Sequence, residues 1–121
     1  MLLMQLYGIY NANGGILGEL AYVFGRLLGT THCALCDISH GAIREKESFR
    51  ICAAGLPIPL STLHIDEQNS SMAEFTHGKT PCVLLEDEGT YTLAVDAARL
   101  ESCGGDVQRF ERELRSFLDS L

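Results

Sequence analysis

Apolar residues are not spread evenly along this chain. Leu2 to Tyr10 is almost unbroken apolar sequence with β-favouring residues near its end, the pattern of a strand buried on both faces. Asn11-Ala12-Asn13-Gly14-Gly15 stops it, since Asn and Gly tolerate the positive φ of tight turns. Asn13 is placed to cap the next helix. From Ile16 to Leu28 the apolar positions take helical spacing. Ile16, Leu20, Val23 and Leu27 form one stripe, and Leu17, Ala21, Phe24 and Leu28 a second beside it. Only Glu19 and Arg26 interrupt strongly. So apolar a helix is buried on most sides or meets a second copy of the chain. Gly29 ends it.

A second helix is predicted from Ala42 to Ala54, with Arg44, Glu45, Lys46, Glu47 and Arg50 on its wet side and Ile43, Ile51 and Cys52 on its apolar side. Gly55, Pro57 and Pro59 terminate it. Leu60 to Asp66 alternates as a strand does, with His64 facing away from Leu63 and Ile65. A polar connection leads to a short helix near Met72 to His77. Thr80 to Glu86 is another strand, which Pro81 can open but not enter. Asp87-Glu88-Gly89 turns the chain into Tyr91–Val95, completing a hairpin. Asp96 caps a short helix that Gly104 ends, and Asp106 caps the last. There Val107, Phe110, Leu114, Phe117, Leu118 and Leu121 give the cleanest amphipathic helix of the sequence. Glu111 and Arg115 add a favourably ordered i,i+4 pair.

Strands separated by helices imply parallel pairing with right-handed crossovers, and the hairpin adds an antiparallel strand. The expected fold is therefore α/β: a four-stranded mixed sheet with helices on both faces. At 121 residues and 46% hydrophobic content, the chain builds one domain with a core that needs no disulfide or metal. Nine Lys and Arg against sixteen Asp and Glu leave a charge of −7. That opposes a nucleic-acid partner, whose phosphates would be repelled. Met1-Leu2-Leu3-Met4 lacks the charged start and cleavage site of a secretory signal. No apolar run reaches the roughly 18 residues of a membrane span. Five cysteines in such a chain are expected as reduced thiols in a cytoplasm.

The chemistry gathers between Thr31 and Gly41, which hold two of the five cysteines and two of the four histidines. Cys33 and Cys36 stand at i and i+3, and His40 at i+7, so a helix would put all three on one face. Several readings are open. Cys-x-x-Cys in a tight turn is able to form a reversible disulfide, with Cys33 as nucleophile, Cys36 as resolving thiol and His40 holding a proton. The same residues suit a transition metal, with His32, Cys33, Cys36 and His40 as ligands for zinc, or for Cu⁺ if sulfur dominates. Covalent haem is excluded, because Asp37 stands where that motif needs His. The plainest reading is that the cysteines are small hydrophobes packed beside Leu35 and Ile38.

The strand opened by Thr80-Pro81, with Val83-Leu84, a Gly-containing turn, a second strand and a terminal amphipathic helix, resembles the thioredoxin-like superfamily. The resemblance covers Leu60 to Leu121 well and the first strand and helix loosely. It implies that Pro81 is cis and lies beside the active site. Thioredoxins and glutaredoxins carry Cys-x-x-Cys directly after the first strand, where this chain has Asn11-Ala12-Asn13-Gly14-Gly15. Here the cysteine pair comes one helix later, in a segment, 30–58, that looks like a Cys-x-x-Cys helical insertion into a single domain spanning 1–121. Three functions follow as expectations: a metal-binding protein, with zinc as cofactor; a thiol–disulfide oxidoreductase using Cys33 and Cys36; and a protein-interaction module without chemistry. In the last, a small molecule or protein would meet the apolar first helix, or the cleft between Asn11, Asn13 and Pro81.

Overall fold

The structure is a computed structural model that describes residues 4–12, 14, 33–40 and 45–121. The predicted helix 16–28, with its dimer face, and residues Asn13, His32 and Ile43 lie outside the described residues. Strand β1 is Met4–Ile9, and helix α1 is Ala34–Ser39. Helix α2 is Glu47–Ala54, and β2 is Leu60–Leu63. Helix α3 is Ser70–Thr76, and the hairpin strands are β3, Cys82–Asp87, and β4, Thr90–Val95. Helices α4, Ala97–Ser102, and α5, Val107–Asp119, close the chain.

The strands form one mixed sheet in the order β2-β1-β3-β4. β1 pairs parallel with β2 and antiparallel with β3, so it lies inside the sheet, as its apolar run predicts. Cross-strand partners share a face. Leu6 opposite Leu85 and Gly8 opposite Val83 face one side; Tyr7 opposite Leu84 and Ile9 opposite Cys82 face the other. On the first side Leu6, Val83 and Leu85 join Leu35 and Ile38 of α1, Phe49 and Cys52 of α2, Leu100 of α4 and Phe110 and Leu114 of α5. On the second, Ile9, Cys82 and Leu84 pack on Met72 of α3. Helices thus cover both faces. The β3–β4 register slips between Val83 and Leu84, where Val95 and Leu93 are the partners. Ala94 is the extra residue, and both Ala94 and Val95 reach the first core.

Local chemistry explains most boundaries. Glu88 and Gly89 have φ of 50° and 83°, the two positive values of a two-residue hairpin loop. The Asp96 carboxylate accepts from Arg99 N at 2.8 Å, and that of Asp106 from Gln108 N at 2.8 Å. Two boundaries differ from the sequence reading by three residues or more. α2 begins at Glu47 rather than Ala42: Glu45 pairs with His40 in an isolated bridge, and Lys46 N bonds Ser39 O at 2.7 Å, so backbone groups that a helix would use are spent on α1's exit. β2 ends at Leu63 rather than Asp66, because the Glu67 carboxylate accepts from both His64 N and His64 Nδ1 at 2.7 Å and starts a 3₁₀ turn over Ile65–Glu67. Ile51, one of the apolar residues of α2, is 66% exposed.

Candidate thiol site

Helices α1 and α2, both within residues 30–58, pack into the main core. What seats α1 is Gly8. A Cβ there would come within 3.2 Å of Leu35 Cδ2, so the missing side chain lets the helix settle onto the middle strand. Leu35 and Ile38 are fully buried there. This brings the cysteine segment back to the C-terminal end of β1, and Asn11, just beyond that end, donates its backbone N–H to Cys33 Sγ at 3.5 Å.

Cys33 is the extended residue that caps α1, and its sulfur also accepts from Cys36 N at 3.4 Å. The Cys36 thiol donates to Cys33 Sγ at 2.7 Å. The two sulfurs therefore face each other, both reduced. They are deeply placed, with Cys33 1% and Cys36 7% exposed. The hydrogen bond from Cys36 holds the Cys33 thiol down at about 7 from the usual 9.0; burial opposes this, and the backbone N–H groups of Asn11, Cys36 and Leu35 reinforce it. Elsewhere burial wins. It pushes Cys52 up to about 11, aided by Glu111, and Cys82 up to about 11. Cys103 is also raised by burial. Cys82 follows Pro81 in sequence but faces the α3 side of the sheet, so it is a core residue.

The Thr80–Pro81 bond is cis. Thr80 Oγ1 donates to Asn11 Oδ1 at 3.0 Å, which ties the entry of β3 to the exit of β1 beside Cys33. Of the residues assigned to a binding cleft, Asn11 thus bonds to Thr80, the neighbour of Pro81, while Asn13 lies outside the described residues.

Two members of the site, Tyr10 and Ser39, escape a search for motifs. The Tyr10 hydroxyl and Ser39 Oγ are 2.9 Å apart, and Ser39 Oγ lies 2.7 Å from His40 Nδ1. Tyr10 is buried, and its ring meets that of His40 edge-on at 5.7 Å and that of His64 at 5.2 Å. Burial first, then the negative charge of Cys36 and Glu45, raises the Tyr10 phenol, against the hydrogen bonds of Ser39 and Thr62. The available signal was a phenol ending an apolar strand, and a serine one helical turn after Cys36.

No family model, curated protein or solved structure matches the sequence. The chemistry of the site is therefore argued from its own geometry. Among the described residues no three His, Cys, Asp or Glu side chains come together as metal ligands. Cys33 and Cys36 are brought together, but His40 turns its Nδ1 to Ser39, and His32 lies outside the described residues.

Proposed function

We propose that this protein is a thiol–disulfide redox protein on a thioredoxin-like scaffold, in which Cys33 and Cys36 pass between dithiol and disulfide. The observation that carries the reading is the 2.7 Å approach of the two sulfurs, with the Cys36 thiol donating to Cys33. A covalent S–S bond of about 2.05 Å needs only a short further movement. The thioredoxin-like part is supported by the mixed sheet and by Thr80, the residue before Pro81, which bonds Asn11 where Asn11 reaches Cys33.

In the cycle, the Cys33 thiolate attacks one sulfur of a substrate disulfide R–S–S–R′. That S–S bond breaks, a Cys33–S–S–R bond forms, and R′–S⁻ leaves and takes a proton. Cys36 then loses its proton and attacks the Cys33 sulfur, and R–S⁻ leaves and is protonated. The substrate has gained two electrons and two protons as R–SH and R′–SH, and the protein holds a Cys33–Cys36 disulfide. A dithiol reductant restores the starting state by the reverse exchange.

Oxidised glutathione tests this directly. Reduced protein is expected to release both glutathiones per turnover, whereas Cys36→Ser is expected to stop after one and keep the other as a mixed disulfide on Cys33. If Cys33 takes up no glutathione in the folded chain while the urea-unfolded chain reacts, the proposal is wrong.

A further inference from the structure

The second step of the proposed cycle leaves a problem of proton transfer, and this inference rests on that cycle. While Cys33 is tied to R, its sulfur no longer holds a negative charge to accept the Cys36 hydrogen. Cys36 is 7% exposed, so bulk water is a poor direct acceptor. Its proton needs a built route.

One turn further along α1 stands a fully buried hydroxyl, Ser39. Residues at i and i+3 of a helix are neighbours on one face. Buried hydroxyls are kept where they are hydrogen-bonded, and Ser39 has two partners: the Tyr10 hydroxyl at 2.9 Å and His40 Nδ1 at 2.7 Å. His40 is only half-buried, so the chain of hydrogen bonds runs from the core beside Cys36 toward the surface. We propose that Ser39 and His40, held in line by Tyr10, form the path along which Cys36 loses its proton.

In this path Tyr10 donates to Ser39 Oγ, and Ser39 donates to the bare Nδ1 of His40. The Cys36 proton passes to Ser39 Oγ as the Ser39 proton passes to His40, which becomes imidazolium and later gives a proton to water. The Cys36 electron pair then closes the S–S bond and R–S⁻ departs. Tyr10 is a positioning residue, since it acts through Ser39. Among the described residues, titratable groups facing this chain include Cys33 on α1's cap, Glu45, which is paired with His40 through the backbone, and His64 with its partner Glu67 across the Tyr10 ring.

An aromatic disulfide whose released thiolate is coloured, 5,5′-dithiobis(2-nitrobenzoate), separates the two steps. The first equivalent reports attack by Cys33 and the second attack by Cys36. The structure predicts that Ser39→Ala and His40→Gln leave the first release within about twofold and slow the second by about 100-fold at neutral pH, the usual scale for a lost general base. Their second step should then rise about tenfold per pH unit toward the ordinary thiol range, while the intact chain levels off earlier. Ser39→Thr should restore the rate, and Tyr10→Phe should give a smaller loss. Two equivalents in all, with buried Cys52, Cys82 and Cys103 unreacted, show that each variant is folded. A second release within twofold of the parent in both Ser39→Ala and His40→Gln overturns the path. No second release from the parent chain overturns the redox cycle itself, and the path with it.

Discussion

Cys33 differs from the other buried thiols by its hydrogen bonds rather than its burial. Burial drives a thiol the other way: it pushes Cys82 up to about 11 and, aided by Glu111, Cys52 up to about 11. The Cys36 thiol and the backbone N–H groups of Asn11, Cys36 and Leu35, all donating to one sulfur, reverse the sign. The rate of Cys33 alkylation should therefore rise with pH through a midpoint near 7, because the thiolate is the nucleophile, while Cys52 and Cys82 stay unreactive until the fold opens. Cys36→Ala removes the first of those donors and should move the midpoint up toward the ordinary thiol value. Iodoacetamide labelling followed residue by residue checks both. The spacing of Cys33 and Cys36 made the pair legible as a candidate. It named Cys33 as the nucleophile without revealing what activates it, because Asn11 reaches Cys33 only through the fold, across 22 positions of sequence. Tyr10 and Ser39 were illegible for the same reason.

At the level of elements, the turn and cap residues were the most readable. Asp96, Asp106, Gly89 and Pro81 each act as their chemistry demands within a few residues of chain. Asp106→Ala should lower stability by about 1 kcal/mol, since it takes the cap from α5 without touching the core; urea unfolding measures it. The start of α2 was misread because its competitor is tertiary: the exit of α1 takes the Lys46 N–H, and no helical period records that. Gly8 was equally silent, being one more small residue in an apolar strand. Its role suggests a sharper test. Gly8→Val would push against Leu35 and should cost about 1–3 kcal/mol. It should also lift the Cys33 midpoint, because displacing α1 draws Cys33 away from Asn11. A stable Gly8→Val chain with an unshifted alkylation profile would mean that α1 does not depend on that close approach.

Across the whole molecule, the hydrophobic pattern was enough for the α/β class, the mixed sheet and the helices on both faces. Periods of two and of 3.6 are local, and the sheet order follows once the hairpin and the crossovers are set. The same pattern does not show how α1 and α2 pack. Short helices have little period of their own, and contacts of Leu35, Ile38 and Phe49 with Phe110 and the sheet bring both into the core. Phe110 joins the final helix to α2 at the centre of that core, so Phe110→Ala should cost about 3–5 kcal/mol in urea unfolding. Because α1 rests on the same core, the thiol site should be lost in the same transition and not before it. Among the described residues no helix is long and apolar enough to cross a membrane.

The most direct measurement equilibrates the intact protein in glutathione buffers of graded oxidising power, blocks the remaining thiols by alkylation, and reads whole-chain mass and tagged peptides. The account predicts one two-electron transition. The chain loses the mass of two hydrogens, the missing tags are those of Cys33 and Cys36, and Cys52, Cys82 and Cys103 remain alkylatable in denaturant throughout. Contradiction would be a chain in which Cys33 and Cys36 both keep their tags in buffers that oxidise a free dithiol, or in which Cys33 carries glutathione and Cys36 never displaces it.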